Sequence, residues 1–380
     1  MNNITSTFRI AKIFFSTALG IGLPIYIGNV QSLVLSAKHL HAETNALSID
    51  ERAGSLLGEE VLKKALRYER MLSQEHLHKG MVVNRGPKGA IIDECDSLLF
   101  SCLRYAALNQ LGYQHKAQES WEAIEKSQYR GKWYRHPDCP RPTSRDMLIG
   151  LMVCLSQNPP RKTEHLRQLF NVITEKKGYF GDGPFYLSYL SPGLGDILRR
   201  MAGDAGFPFK QMPASVRRGY STQELDSLSQ KDGYVSHLVA LTSWLEMEMD
   251  LQQSRFKTRS LVHDINLLTN FLVPTNPNHL RQQWITHKLI DLDEKNLFFQ
   301  YLFHRSHNSL SPQMRLHLVS HLLSLPQFPN THLPNECNRH ADYLWQRHSR
   351  EYTPRPGSTC YKTFAGVDFL WMTALLVKEN

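Results

Sequence analysis

The sequence predicts an all-α domain: short paired helices closed into a ring, with long loops at one rim and little β structure. Three observations predict it. From residue 47 onward the dominant apolar period is helical. Helix starts and stops written in Ser-Pro, Gly and Pro recur to the end of the chain. The loops between them alternate brief with long and aromatic-rich, and no self-similarity at a period of about 34 or 40 residues points to a helical solenoid.

The elements follow in order. Residues 47–78 read as a first helix. Leu98, Leu99, Cys102, Leu103, Ala106 and Ala107 form one apolar stripe, ended by Leu111-Gly112. A helix over 114–128 follows. Ser144 can cap the next, which carries Met147, Leu148, Leu151, Met152 and Leu155 and stops at Asn158-Pro159-Pro160. Ser191-Pro192 opens another through Ile197, Leu198 and Met201 to Gly203. Thr222 starts a short helix, Tyr234 to Met249 a longer one, and Leu261, Ile265, Leu268 and Leu272 share a face closed by Pro274. Ser311-Pro312 opens a helix stopped by Pro326, and Val367, Leu370, Trp371, Ala374 and Leu375 form the last. Met81 to Val83 and Ala90 to Ile92, around Arg85-Gly86-Pro87-Lys88-Gly89, make a small hairpin.

The chain has 380 residues, of which 41% are hydrophobic and 21% charged, enough apolar mass for a sizeable core. No Gly/Ser, Pro-rich or single-charge linker interrupts it after residue 50, so residues 43–380 are expected to form a single domain. Residues 1–42 have a different character. Arg9 and Lys12 precede an uncharged stretch from Ile13 to Ala37 with an apolar heart, the layout of a secretory leader. Cleavage is expected after Ser32 or at a longer site ending at Ala42. An uncleaved membrane anchor is the alternative, against which Gly20, Gly22, Pro24 and Asn29 argue. The expected location is therefore periplasmic or secreted.

Six cysteines fit an oxidising compartment. On one helix Cys95 and Cys102 would lie ~10 Å apart, beyond the roughly 7 Å that a disulfide spans. Cys337 and Cys360 flank the last loop and are the first candidates for a pair; free buried thiols are the other reading.

A formal charge of +9 favours acidic partners such as anionic polysaccharide, phospholipid headgroups or nucleic acid. The basic residues are scattered, with no zinc-finger spacing or basic helix, so nucleic acid is not expected. No Walker loop, dinucleotide-binding glycine fingerprint or Gly-x-Ser-x-Gly elbow occurs, which disfavours nucleotide enzymes and α/β-hydrolases and leaves no cofactor implied. His317 and His321 are four apart and His304 and His307 three apart, but neither pair brackets the Glu of a zincin motif. No metal is expected.

Two segments stand out. Asp93-Glu94-Cys95-Asp96-Ser97 immediately precedes an apolar helix. Trp133-Tyr134-Arg135-His136-Pro137 is read as a loop, followed by Ser144-Arg145-Asp146 at the next helix start. A carboxylate in a first helical turn is ordinarily a cap that offsets the macrodipole. The crowd of aromatic and cationic residues beside these two suggests a binding site.

The stretches Glu94 to Phe100, Ser144 to Gly150 and Gly366 to Trp371 resemble the inner-helix starts of α/α-toroid carbohydrate-active enzymes, namely six-hairpin glycosidases and the toroid domains of polysaccharide lyases. The resemblance implies a ring of helix pairs with a sugar-binding cleft, and a poly- or oligosaccharide as partner.

Glycoside hydrolysis needs two carboxyls flanking the bond, ~5–5.5 Å apart for retention or ~6.5–9.5 Å for inversion. Glu94 and Asp96, if helical, point roughly 200° apart at ~100° per residue. The better pair takes one of them with Asp146 from a different helix. Trp133 and Tyr134 would stack on a sugar, Arg135 or Arg145 would hold an anionic group, and His136 would complete the binding set. In a lyase, Tyr134 or His136 would instead abstract the proton beside a uronate carboxylate that Arg135 or Arg145 neutralises. A non-catalytic binding module is the third reading.

Overall fold

The computed structural model describes residues 47–85, 90–181, 188–190, 192–206, 233–257, 277–324 and 366–378. The protein is mostly helical. It divides into one unit over Met1–Leu56, of which only the start of the first helix is described, and a second over Leu57–Asn380. Eleven helices lie among the described residues: α1 Leu47–Glu75, α2 Ser97–Gln110, α3 Gln114–Glu125, α4 Arg145–Ser156, α5 Lys162–Glu175, α6 Pro192–Asp204, α7 Gly233–Lys257, α8 Pro277–Leu292, α9 Leu297–Ser306, α10 Pro312–Ser324 and α11 Val367–Lys378. The leader, the Thr222 helix, the Leu261–Leu272 stripe, Ser191 and both Cys337 and Cys360 lie outside the described residues.

Burial sorts the helices of the second unit into two kinds. In α1 a single stripe is covered: Val61, Lys64, Ala65, Tyr68, Glu69 and Leu72. By contrast α2 is buried continuously from Ser97 to Leu108, and α4 from Met147 to Ser156. α3 and α5, which follow them, bury one face each. One-sided and surrounded helices thus alternate from α1 to α5. α11 is again buried on all sides and packs against α2. The ring of Tyr68 on α1 stacks on Phe369 of α11 at 4.2 Å, and Lys64 donates to the last carbonyls of α10, Leu322 at 3.2 Å and Leu323 at 2.9 Å. The first and last helices of the unit are therefore packed together.

Two close contacts hold α2 against α4. A Cβ on Gly150 would sit 2.5 Å from the Cα of Leu99, so the backbones meet where only glycine fits. One turn further on, Cys102 and Cys154 are bridged with their Cα atoms 5.0 Å apart. The two contacts advance together along both chains, so α2 and α4 run parallel. On the α1 side, Arg104 forks onto buried Glu69 at 3.1 and 2.7 Å. Burial would raise the Glu69 carboxyl, but Arg104, Ser73 and Lys116 outweigh it and hold it below the usual range.

The connections are unequal. α2 passes to α3 through residues 111–113 and α4 to α5 through 157–161. Every strand among the described residues lies instead in the connections entering α2, α4 and α6. These strands are β1 Leu77–His78 paired with β2 Met81–Val82, β3 Asn84–Arg85 with β4 Ile91–Asp93, and β8 Tyr179–Phe180 with β9 Ser188–Tyr189. A three-stranded antiparallel meander comprises β5 Gln128–Tyr129, β6 Lys132–His136 and β7 Cys139–Pro142. Because α2 and α4 are parallel, the connections entering them gather at one end.

Two expectations are corrected here. The hairpin around Arg85 pairs Asn84 with Asp93 and Arg85 with Ile91, while Met81–Val82 turns back on Leu77–His78, so one expected ladder is two. Trp133–His136 is strand rather than loop. The tight turn at Arg130-Gly131, both at positive φ (50° and 78°), is the two-residue hairpin link that starts it.

Gly150→Ala is expected to cost about 1–3 kcal/mol by forcing α2 and α4 apart. Gly58→Ala, in α1 with no atom within 4 Å of the added Cβ, is expected to gain about 0.5–1 kcal/mol. Urea unfolding of the two variants against the parent checks both signs.

Candidate active site

The seam between α2 and α4 brings two acidic helix starts to one level. Asp96 lies three residues before Leu99 and Asp146 four before Gly150, one helical turn back along the seam in each case. Neither acts as an ordinary cap. Asp96 occupies the N-cap position of α2 but makes no side-chain cap bond; its Oδ1 lies 3.7 Å from Nη1 of Arg135. Ser144 holds the N-cap position of α4 in extended backbone, as expected from the sequence, yet its hydroxyl donates to the Asp146 carboxylate rather than capping. Both carboxylates are half-buried, and Arg145 beside them is exposed. Glu94, also half-buried, sits in the turn entering α2, where its carbonyl accepts the Ser97 N–H at 3.2 Å.

The meander supplies Arg135. Successive strand residues point to opposite faces, so Trp133 and Arg135 project one way and Lys132, Tyr134 and His136 the other. Trp133 is 3% exposed and packs its ring 6.1 Å from that of Trp121 and 5.4 Å from that of His165. His136 is 0% exposed. Its Nε2–H donates to the His78 carbonyl at 3.2 Å and its Nδ1 accepts the Asp138 N–H at 3.0 Å, which fixes a neutral tautomer. Burial pushes the imidazole below its ordinary range, and the His78 carbonyl, Asp138 and Glu94 only partly oppose that.

The expected set therefore separates. Trp133 and His136, expected to touch a ligand, are core residues, because strand alternation turns one into the aromatic cluster and tucks the other beneath the β1–β2 turn. Arg135 and Asp96 are together, with Asp146 and Arg145 on the adjoining helix start. Tyr134 is half-buried on the face opposite Arg135.

The arrangement is clamped from outside. Cys95, next to Asp96, is bridged to Cys139 of β7 with Cα atoms 5.5 Å apart. Lys79 and His78 hold Asp138, the His78 Nε2 at 2.8 Å, and these bonds lower its carboxyl below the usual range. Cys95 and Cys102 do not pair with each other, although Cys95 lies in the turn before α2 and not on the same helix as expected. Each is bonded instead across to the hairpin or to α4.

A second polar cluster lies where α6, α7 and α8 pack, and sequence reasoning missed it. Glu246, 3% exposed, faces Arg281 at 3.5 Å through Oε2, while Oε1 is buried without a hydrogen-bond partner among the described residues. Asp196 takes Arg199 at 2.9 Å and Arg200 at 3.0 Å. Arg200 also reaches Asp250, to which Gln282 donates at 3.4 Å. Burial pushes the Glu246 carboxyl up to about 8, against the pull of Arg281 and Arg200. The only sequence signal was an acidic residue following Trp244-Leu245 inside an apolar run.

Among the described residues no group of three or more His, Cys, Asp or Glu is arranged to hold a metal ion. His317 and His321 lie ring to ring at 5.4 Å on α10, and His307 stacks on Phe303 at 4.1 Å. No helix among the described residues is long and apolar enough to cross a membrane. Comparison of the chain with family models and with curated proteins finds no match to either.

Because the folded carboxyl of Glu246 titrates near 8 and an unfolded one near 4.5, the unfolded chain releases this proton first. The residue's contribution to stability is thus greatest below about 4.5 and is lost as pH rises towards about 8. Glu246→Gln, which keeps shape and removes the charge, is expected to gain stability relative to the parent across that window. Melting temperature of both proteins against pH checks it; parallel curves would refute the assignment.

Proposed function

We propose that the protein is an exported glycan-cleaving enzyme, a glycoside hydrolase acting on an envelope or extracellular polysaccharide, with its helices arranged as an α/α toroid. The observation that carries the reading is the α2–α4 seam, where two half-buried carboxylates, Asp96 and Asp146, begin adjacent parallel helices and neither is spent as a cap. The alternation of one-sided and surrounded helices, and the packing of α11 on α2, support the ring. Two disulfides between the elements that build the seam support the oxidising, exported setting.

In this reading one of the two carboxyls, with Arg135 3.7 Å from Asp96, acts on water or on the developing positive charge of the sugar. The other donates a proton to the glycosidic oxygen as the bond to the leaving sugar breaks. A water molecule adds its hydroxyl to the anomeric carbon and returns a proton to the pair. Arg145 and Glu94 border the same helix starts and would contact the substrate. The lyase alternative is weaker, since His136 is buried with both nitrogens engaged and Tyr134 does not share a face with Arg135. A non-catalytic binder would use the same residues and differ only in turnover.

Asp96→Asn and Asp146→Asn are each expected to lower the release of reducing ends from a susceptible polysaccharide by about 10²–10⁴-fold. Their melting temperatures should stay within about 4 °C of the parent. Peptidoglycan, a polyuronate and a neutral glucan serve as the substrate panel. Full turnover per folded molecule in either variant would sink the proposal.

A further inference from the structure

α10 carries two histidines four residues apart, His317 and His321, on the side turned away from the core. Leu318, Val319 and Leu322 are buried, while both histidines are exposed. Residues four apart on one helix stand one above the other on the same face. The two rings accordingly lie 5.4 Å apart between centroids, tilted at 49° to each other.

Other histidines of the chain have local duties. His78 holds Asp138 at 2.8 Å and His165 meets Glu125 at 2.6 Å. His307 binds the Phe303 carbonyl at 2.8 Å through Nδ1 and stacks on the Phe303 ring. No Asp or Glu occurs between Lys295 and Ser324, so α9 and α10 offer no carboxylate of their own to pair with an imidazolium. The His317 and His321 rings form no hydrogen bond or ion pair among the described residues.

Two neighbouring imidazoles with unused lone pairs suit a borderline metal ion. Zinc bonded at ~2.0–2.1 Å to one nitrogen of each ring, at a tetrahedral angle, puts the ring centres about 5 Å apart. Small side-chain rotations that break no hydrogen bond bring the observed spacing to that value. The lack of a glutamate between the two histidines does not count against binding, since in a zincin that residue is the general base and not a ligand. It removes zincin-type hydrolysis and leaves metal uptake.

We propose that His317 and His321 form a surface zinc site on α10, with two protein ligands and water in the remaining positions. So few protein ligands make the site weak, on the order of 10 µM, and exchangeable. It takes up zinc from the surroundings rather than holding an ion on which the fold depends. The site uses no residue of the α2–α4 seam and stands whether or not the seam is catalytic.

The test is calorimetric titration of Zn²⁺ into the full chain after dialysis against a chelator, in a non-coordinating buffer. Saturable binding near that affinity is expected, and His317→Ala and His321→Ala should each weaken it by at least about tenfold. His115→Ala, which removes an exposed histidine of α3, should change it by less than about twofold. Saturating zinc should raise the melting temperature of the parent, by mass action on the folded pair, and not that of either α10 variant. Mg²⁺, which seeks oxygen ligands, should not displace zinc. Because both side chains are exposed, the α10 variants should melt with the parent in the absence of zinc, which ties lost binding to lost ligands. Binding no tighter than millimolar, equal zinc affinity in the parent and both α10 variants, or displacement by equimolar Mg²⁺ would each overturn the proposal.

Discussion

The near-contact of two backbones at Leu99 and Gly150 is the constraint on which the rest of the site depends. Helices normally keep 8–10 Å between axes because side chains intervene. Here glycine on one side and the bridged cysteines one turn on draw α2 and α4 closer, with small residues such as Ala106 and Ala107 elsewhere on α2. Closeness and parallel direction together bring Asp96 and Asp146 level. Were the pair antiparallel, or a turn out of register, the same two residues would be remote from each other.

The meander is the second determinant, and its effect is to divide rather than collect. A loop could have gathered Trp133, Tyr134, Arg135 and His136 around one ligand. A strand distributes them, sending the indole into the core, the guanidinium to Asp96 and the phenol outward. The disulfide from Cys95 to Cys139 and the Asp138 contacts to His78 and Lys79 then pin the hairpin beside the start of α2. Charge that would be costly in the interior is handled by the same economy of partners. Glu69 keeps its negative charge because Arg104 forks onto it, whereas Glu246, facing one guanidinium at longer range, holds its proton instead.

Helical periodicity made most of the helices legible in the sequence, because a long apolar stripe with Ser-Pro starts and glycine or proline stops has few other physical solutions. The Ser311 hydroxyl does accept the Met314 N–H at 3.1 Å, as an N-cap should. What escaped was information carried by non-local partners. Two-residue strands such as Gln128–Tyr129 have no period to read. The pairing of Cys102 with Cys154 depends on a helix register that no spacing reveals, and the role of Glu246 depends on arginines from α6 and α8 far along the chain. Asp96, Asp146 and Arg135 could be picked out as unusual, but the burial of His136 and Trp133 could not, because burial belongs to the neighbours and not to the residue.

The docking of α11 on α2 carries a consequence for biosynthesis. α2 ends at Gln110, yet one of its walls is α11, which begins only at Val367. Its apolar surface therefore stays uncovered while all the residues between the two helices are translated, until α11 leaves the ribosome and closes over it. A nascent chain with this connectivity cannot finish its core from contiguous segments, and it offers a chaperone an uncovered apolar helix for as long as the stretch between α2 and α11 takes to synthesise.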